Sequence, residues 1–329
     1  MKKLFLLLGL LALTSCAEQN VVPTGDVVTE APSDSERYVL FTVNTQEFVY
    51  SEQSAETLNR LLDIHEQYEV PVDVYLTEDI LRTYEEMAPD LVERLKTSPV
   101  VAVSYHYRPP APFHNSAYDF LGLEDMTSEG LYSALLHYEE YATDPETGAT
   151  TKEEGGYQHV KDVIGYAPVV VGMAVGDRAV GDALGQIYKE KGATFAVSHD
   201  GVIALGDEQF GLFLRPEDIE VKLFELTGQD AEALISGLWG EQGEQGFMNI
   251  KVHDNDFIAT ASAWVSIYLK QKPPYDVDRG TTERELLTEA ETAPLWELYE
   301  ASVKYVSEHA SQYQAINAFD LQKMLPTQP

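Results

Sequence analysis

An α/β protein, with a parallel sheet or barrel under helical cover, is predicted by three features of the chain. Six apolar runs of strand length (38–43, 70–76, 100–104, 168–173, 194–198 and 247–252) are separated by segments of helical periodicity. The runs are mainly apolar, the pattern of strands covered on both faces. Four polar knots, within 39–47, 100–114, 194–200 and 247–256, gather acid, amide and imidazole groups where an apolar run ends. In α/β folds that is where chemistry sits.

Taken in order, Tyr38-Val39-Leu40-Phe41-Thr42-Val43 reads as a buried strand feeding the polar Asn44-Thr45-Gln46-Glu47. Ser54 then caps a helix whose stripe of Leu58, Leu61, Leu62, His65 and Tyr68 faces a core, which makes His65 a packing residue and no ligand. Val70 to Leu76 is the second strand, Thr77 and Pro89 open two short helices, and Val100 to Ser104 is the third strand. It runs into Tyr105-His106-Tyr107-Arg108-Pro109-Pro110-Ala111-Pro112-Phe113-His114, a loop stiffened by its prolines. Residues 115–157 read as an insertion: a helix from about Thr127 to Tyr141, then a turn-rich excursion around Asp144-Pro145. His137 and His159 read as surface residues. The fourth strand, Pro168 to Met173, precedes a helix from Asp177 to Lys191 that Gly192 stops. Thr194 to Ser198, ending in His199-Asp200-Gly201, is the fifth strand. Residues 207–246 divide less readily, apart from a helix over 230–239. The sixth strand, Phe247 to Val252, ends in His253-Asp254-Asn255-Asp256, whose carboxylates suit either chemistry or the cap of a helix starting near Ala259. Helices around 294–310 and 318–325 complete the chain.

Ahead of this barrel-like region, Lys2-Lys3, an apolar stretch from Leu4 to Leu13 too short to span a bilayer, and Leu13-Thr14-Ser15-Cys16 read as an export signal. Cys16, the only cysteine, resembles the lipidated residue of a bacterial lipobox, so diacylation would anchor the mature chain to a membrane. Ala17 in the next position leans toward the outer membrane of a bacterial cell envelope. Residues 17–36 are polar, acidic and without periodicity, as in a tether. With one cysteine there is no internal disulfide, so a single large core over 37–329 must supply the stability. The formal charge of −33 disfavours nucleic acid as a partner.

The order of parts resembles the NodB-type polysaccharide deacetylases, carbohydrate esterase family four, across about residues 38–325. The features that carry it are the first strand with its polar end, the Val-Pro-Val-Asp-Val-Tyr-Leu strand, the Ser104-Tyr105-His106 loop and the late Val252-His253. The resemblance implies an irregular (β/α) barrel. It also implies a divalent metal, usually zinc, and removal of acyl groups from a glycan. The motifs depart from that pattern. Thr42-Val43-Asn44-Thr45 stands where the family has Thr-Phe-Asp-Asp, Pro110 stands where the second imidazole falls, and the family arginine is missing beside Tyr166-Ala167-Pro168.

On this resemblance the metal ligands are His106, His114 and His253, or two of these with Glu47, Asp254 or Asp256. Three protein ligands and an open position are what zinc needs to bring bound water toward a pKa of ~7. Glu47 is then a ligand or base, His253 the acid, Arg108 an oxyanion or substrate contact, and Asp254 or Asp256 the group that orients His253. Asn44, Tyr105, Tyr107 and Phe113 are the expected substrate contacts, the rings by stacking on sugar faces. Loss of the paired aspartates also fits a different class, a glycan-binding lipoprotein that keeps the fold without catalysis.

Overall fold

The computed structural model describes residues 36–113, 117–173, 175–198, 202–242 and 246–325. The signal, the Cys16 anchor, the tether up to residue 35, His114 and His199-Asp200 lie outside the described residues. Twelve strands are present among them: β1 (Arg37–Asn44), β2 (Val72–Leu76), β3 (Val101–His106), β4 (Tyr141–Thr143), β5 (Thr150–Glu154), β6 (Val170–Gly172), β7 (Phe195–Val197), β8 (Glu208–Gln209), β9 (Leu212–Leu214), β10 (Ile219–Lys222), β11 (Gly246–His253) and β12 (Gln314–Ile316). The helices are α1 (Ser51–Tyr68), α2 (Glu78–Met87), α3 (Pro89–Thr97), α4 (Ser128–Tyr138), α5 (Gly156–Ile164), α6 (Arg178–Lys191), α7 (Ala231–Gln242), α8 (Ala263–Tyr268), α9 (Arg279–Thr282), α10 (Glu289–Glu308) and α11 (Ala318–Met324).

One sheet runs in the order β10-β11-β1-β2-β3-β6-β7-β9-β8, and every pair in it is parallel except β8 with β9. Through residues 215–218 the chain passes from β9, beside β7, to β10, beside β11, which joins the two ends of the strand order. The result is a curled, irregular (β/α) barrel, as the sequence predicts. On one side β2 pairs only with Thr42 to Asn44 of β1, and β12 takes the place below it, opposite Tyr38 to Leu40. No length of the β1 edge is left open.

Strand alternation separates two apolar zones. Val39, Phe41 and Val43 of β1, with Val72, Val74 and Leu76 of β2 and Met248, Ile250 and Val252 of β11, face outward into the core shared with the helices. Leu40, Ala102, Phe195, Phe247 and Ile316 face inward and close the lower interior together with Ala318 and Leu321 of α11. Above that plug the inward positions turn polar: Thr42 and Asn44, Asp73 and Tyr75, Ser104 and His106, Asn249 and Lys251. A polar mouth over an apolar plug results.

Several local expectations are corrected. Ser54 lies one turn inside α1, and its hydroxyl goes to Asp254 Oδ2 at 2.6 Å in place of a cap. Residues 141–154 form the hairpin of β4 and β5 where only turns were expected. No helix starts at Ala259; a 3-10 turn covers Asp254–Phe257 and α8 begins at Ala263. Helix α10 starts five residues before Pro294, because Thr288 and Glu291 form a reciprocal capping box ahead of it. The stop at Gly192, with φ 114, is as predicted. His65 packs as expected, fully buried between the Val70 carbonyl (2.8 Å) and the Tyr299 hydroxyl (2.7 Å), and burial pulls its pKa down to about 4.

The insertion is tied to the barrel wall by Glu139, at the end of α4. Its buried carboxylate accepts from Tyr157 N (2.9 Å), Tyr188 (2.8 Å) and Tyr105 (3.4 Å), and burial raises its pKa to about 7. A carboxyl whose folded pKa is raised stabilises most at low pH and loses that contribution as pH climbs from the ordinary carboxylate range through about 7. Thermal unfolding of the wild type against Glu139→Gln is therefore expected to show the wild type losing up to about 3 kcal/mol relative to the variant between pH 4 and 8. A pH-independent difference would refute this.

Candidate functional site at the barrel mouth

At the C-terminal ends of the strands a cavity of ≈ 90 Å³ is lined by Thr42 and Asn44 from β1, Tyr75 from β2, His106 and Arg108 from β3 and its loop, Gly172 and Met173, Val197, Arg215 and Lys251. Registers set these side chains side by side. Asn44 is level with Tyr75 on one side and with His253 on the other, and His106 is level with Gly172. A Cβ on Gly172 would lie 3.2 Å from Nδ1 of His106, so a larger residue there would press on the imidazole. Tyr107 N donates to the Gly172 carbonyl at 3.0 Å and holds the loop against β6.

The floor is a continuous polar chain. Thr42 Oγ1 donates to Asn249 Oδ1 at 2.7 Å, and Asn249 Nδ2 donates to Glu217 at 2.8 Å. Arg215, only 3% exposed, donates to Glu217 at 3.1 Å, to Thr42 at 2.8 Å and to the Tyr75 hydroxyl at 3.3 Å. Glu217 thus already has a cation and an amide.

Above it, an Nη of Arg108 lies 3.0 Å from Nε2 of His106. Arg108 has no acceptor on its own side of that contact, so it is the donor and Nε2 must offer its lone pair, placing the ring proton on Nδ1 toward the Tyr107 carbonyl (3.3 Å). Burial, then the charges of Arg108 and Lys251, hold His106 well below the usual imidazole range. The imidazole is neutral. Burial also lowers the guanidinium of Arg108 to about 10, which leaves it cationic near neutrality, and depresses Lys251.

Of the residues predicted from the sequence, Asn44, His106 and Arg108 meet in this cavity. His253 stands at its rim, near enough for its charge to act on His106, and its Nδ1 and backbone N both meet Asp256 Oδ2 at 3.2 and 2.8 Å. Asp256, expected as a metal ligand, is thereby the group that orients His253. Asp254 does not reach His253. Its buried carboxylate takes Gln46 N, Glu47 N, Ser54 Oγ and Asn255 N, tying the end of β1 to the end of β11, and burial raises it to about 7. Glu47, expected as ligand or base, is fully buried away from the cavity, with both oxygens on Arg284 and one also accepting from Val49 N and Tyr50 N.

The three rings expected against sugar lie on the other side of the wall. Tyr105 faces outward to Glu139, Tyr107 is buried with its hydroxyl on the Pro112 carbonyl, and Phe113 is buried against Tyr118. Sequence reasoning missed Arg215, Tyr75, Lys251 and Gly172.

These residues do not fit a divalent cation. The Nε2 lone pair of His106 is engaged by a guanidinium, Arg215 and Lys251 share the cavity, and Glu217 and Glu220 are engaged by those two cations. No group of three or more His, Cys, Asp or Glu among the described residues is arranged to hold a metal ion. Harder cations want carboxylate oxygens and zinc wants free imidazole or thiolate donors.

The sequence matches no protein-family model and no curated protein. Among solved structures, it is similar to a 4-alpha-glucanotransferase from Thermococcus litoralis, with a TM-score of 0.51 and 11% identity over 88% of this chain and 41% of the other. The chain thus spans about two fifths of that protein. The likeness is one of fold, an irregular (β/α) barrel. A polysaccharide deacetylase from Mycobacterium smegmatis, described as putative in its own name, aligns over 92% of this chain and 97% of its own at 12% identity and a TM-score of 0.42. The peptidoglycan deacetylase PdaC from Bacillus subtilis aligns over 88% and 91% at 10% identity and a TM-score of 0.40.

The buried pair of Glu47 and Arg284 predicts a stability phenotype. Urea unfolding of Glu47→Ala is expected to show a loss of about 3–5 kcal/mol, with Arg284→Met costing a similar amount and the double variant less than their sum. A stable Glu47→Ala protein that had lost only an activity would contradict this placement.

Proposed function

We propose that this protein binds a saccharide at the mouth of its barrel, without a divalent metal, and that it works as a lipid-anchored component of a bacterial cell envelope. The contact between Arg108 and Nε2 of His106, 3.0 Å long, carries the reading. It puts a permanent cation on the nitrogen that metal-dependent deacetylation would need free. Support for a saccharide comes from the strand-end position of the cavity, where barrel folds bind their ligands, and from its hydroxyl, amide and guanidinium lining. The names of similar solved structures, a glucanotransferase and polysaccharide deacetylases, belong to glycan-directed proteins.

The anchor rests on the Leu13-Thr14-Ser15-Cys16 motif, and labelling with a radioactive fatty acid that disappears in Cys16→Ser would bear it out.

The metal-dependent alternative, removal of acyl groups from a glycan, requires metal ligands at the mouth, whereas Glu47 and Asp254 are bound up in the structure away from it and Nε2 of His106 is engaged by Arg108. Purified full chain incubated with acetylated chitin and peptidoglycan fragments is expected to release no acetate above background, with or without added Zn²⁺, while retaining saccharide binding in calorimetry. Zinc-stimulated acetate release that is lost in His106→Ala would overturn the proposal.

A further inference from the structure

The mouth is a cationic well in a chain whose formal charge is −33. Among the described residues its charges do not balance locally. Arg215 is matched by Glu217 at 3.1 Å, and Lys251 lies 3.7 Å from Glu220, a long contact. Arg108 pairs with no carboxylate among the described residues: one Nη meets His106, and its Nε is buried with no hydrogen-bond partner. Arg215 Nε, in the same cavity, is likewise buried without a partner. A guanidinium nitrogen withdrawn from water without a partner is destabilising by itself. Such a group is tolerable where an incoming anion completes it, and its planar fork matches an oxyanion in two parallel hydrogen bonds.

The cavity also limits the size of what enters. It has room for a carboxylate or sulfate group, and His253 and Phe224 stand beside each other at the rim. Asn44 lines the same wall and makes no side-chain hydrogen bond within the described residues, leaving an amide for a neighbouring hydroxyl.

Resting on the saccharide reading above, we propose that the ligand is an anionic sugar, a uronate or a sulfate monoester, whose single negative group enters the well and is held by Arg108, with Lys251 and Asn44 beside it. Arg108 is the anchor because, among the described residues of the cavity, it alone pairs with no carboxylate and keeps an Nε without a partner. Arg215 serves the floor, where it keeps Glu217 neutralised so that no carboxylate repels the ligand. A phosphomonoester, with nearly two charges at neutral pH, would leave one of them uncompensated in this well.

The test is calorimetric titration of the purified full chain at low and high salt with oligogalacturonate, oligoglucuronate, a sulfated chondroitin oligosaccharide and a neutral cello-oligosaccharide. Sodium acetate and sodium sulfate serve as sugar-free probes. Uronate or sulfated oligosaccharide is expected to bind and to weaken with salt, and the neutral oligosaccharide to bind at least about tenfold more weakly. Arg108→Gln is expected to reduce anionic binding by at least about tenfold and to erase the discrimination, with partial rescue in Arg108→Lys, which retains the charge without the fork. Thermal denaturation of each variant identifies any that fails to fold, in which case Lys251→Gln, expected to weaken anionic binding by a smaller factor, supplies the test.

Equal binding of neutral and anionic sugars, unchanged in Arg108→Gln, overturns the anionic inference and leaves the saccharide reading standing. Binding of acetate or sulfate as tightly as the oligosaccharides, with the same Arg108 dependence, supports the anion well and overturns the saccharide reading. No binding by any probe overturns both.

Discussion

The placement of a guanidinium against the Nε2 of His106 is the constraint on which the functional account depends. An imidazole offers one lone pair when neutral, and here burial keeps it neutral while Arg108 engages that lone pair. Every other feature of the mouth follows the same sign. Lys251 and Arg215 reach the cavity from β11 and from the segment after β9, and Glu217 is held by Arg215 and Asn249. The mouth is organised to receive negative charge or lone pairs.

The carboxylates that the polar knots seemed to offer are used in construction. Asp254 gathers two backbone N–H groups from the end of β1, one from its own turn and the Ser54 hydroxyl, so it fixes the geometry between adjacent strand ends and the first helix. Glu47 and Arg284 form a fully buried pair that fastens the loop after β1 to the segment around α9. Polar groups at strand ends thus serve two purposes, and the buried ones here rigidify the rim on which the exposed ones stand. The same division separates Asp256, which positions His253, from any role as a ligand.

Much of the fold was legible because parallel strands covered on both faces are mainly apolar, and 38–43, 72–76, 101–104 and 247–252 read so, with polar residues only at some inward positions. The short strands were less so: β8, β9, β10 and β12 have two to four residues each and draw their stability from neighbours distant in sequence. Part of the site was legible too. His106 at the end of β3 and Arg108 two residues on, both singled out from the sequence, line the cavity. The outward position of Tyr105 and Tyr107 was readable from strand alternation, since an inward His106 sends both its neighbours to the opposite face. The same period marks Asn249, Lys251 and His253 as one inward row on β11. Pairings across long separations were not readable. Glu47 meets Arg284 across 237 positions, and Arg215 meets Thr42 across 173.

The central claim concerns one nitrogen atom, so the most direct measurement observes it. Long-range ¹H–¹⁵N spectra of histidine-labelled protein report the protonation and tautomer of each imidazole. For His106 the account predicts a neutral ring, protonated on Nδ1, with an Nε2 signal that stays constant from pH 5.5 to 8 and on addition of equimolar Zn²⁺. A His106 that titrates near the ordinary histidine value, or whose Nε2 signal shifts when zinc is added, would contradict it.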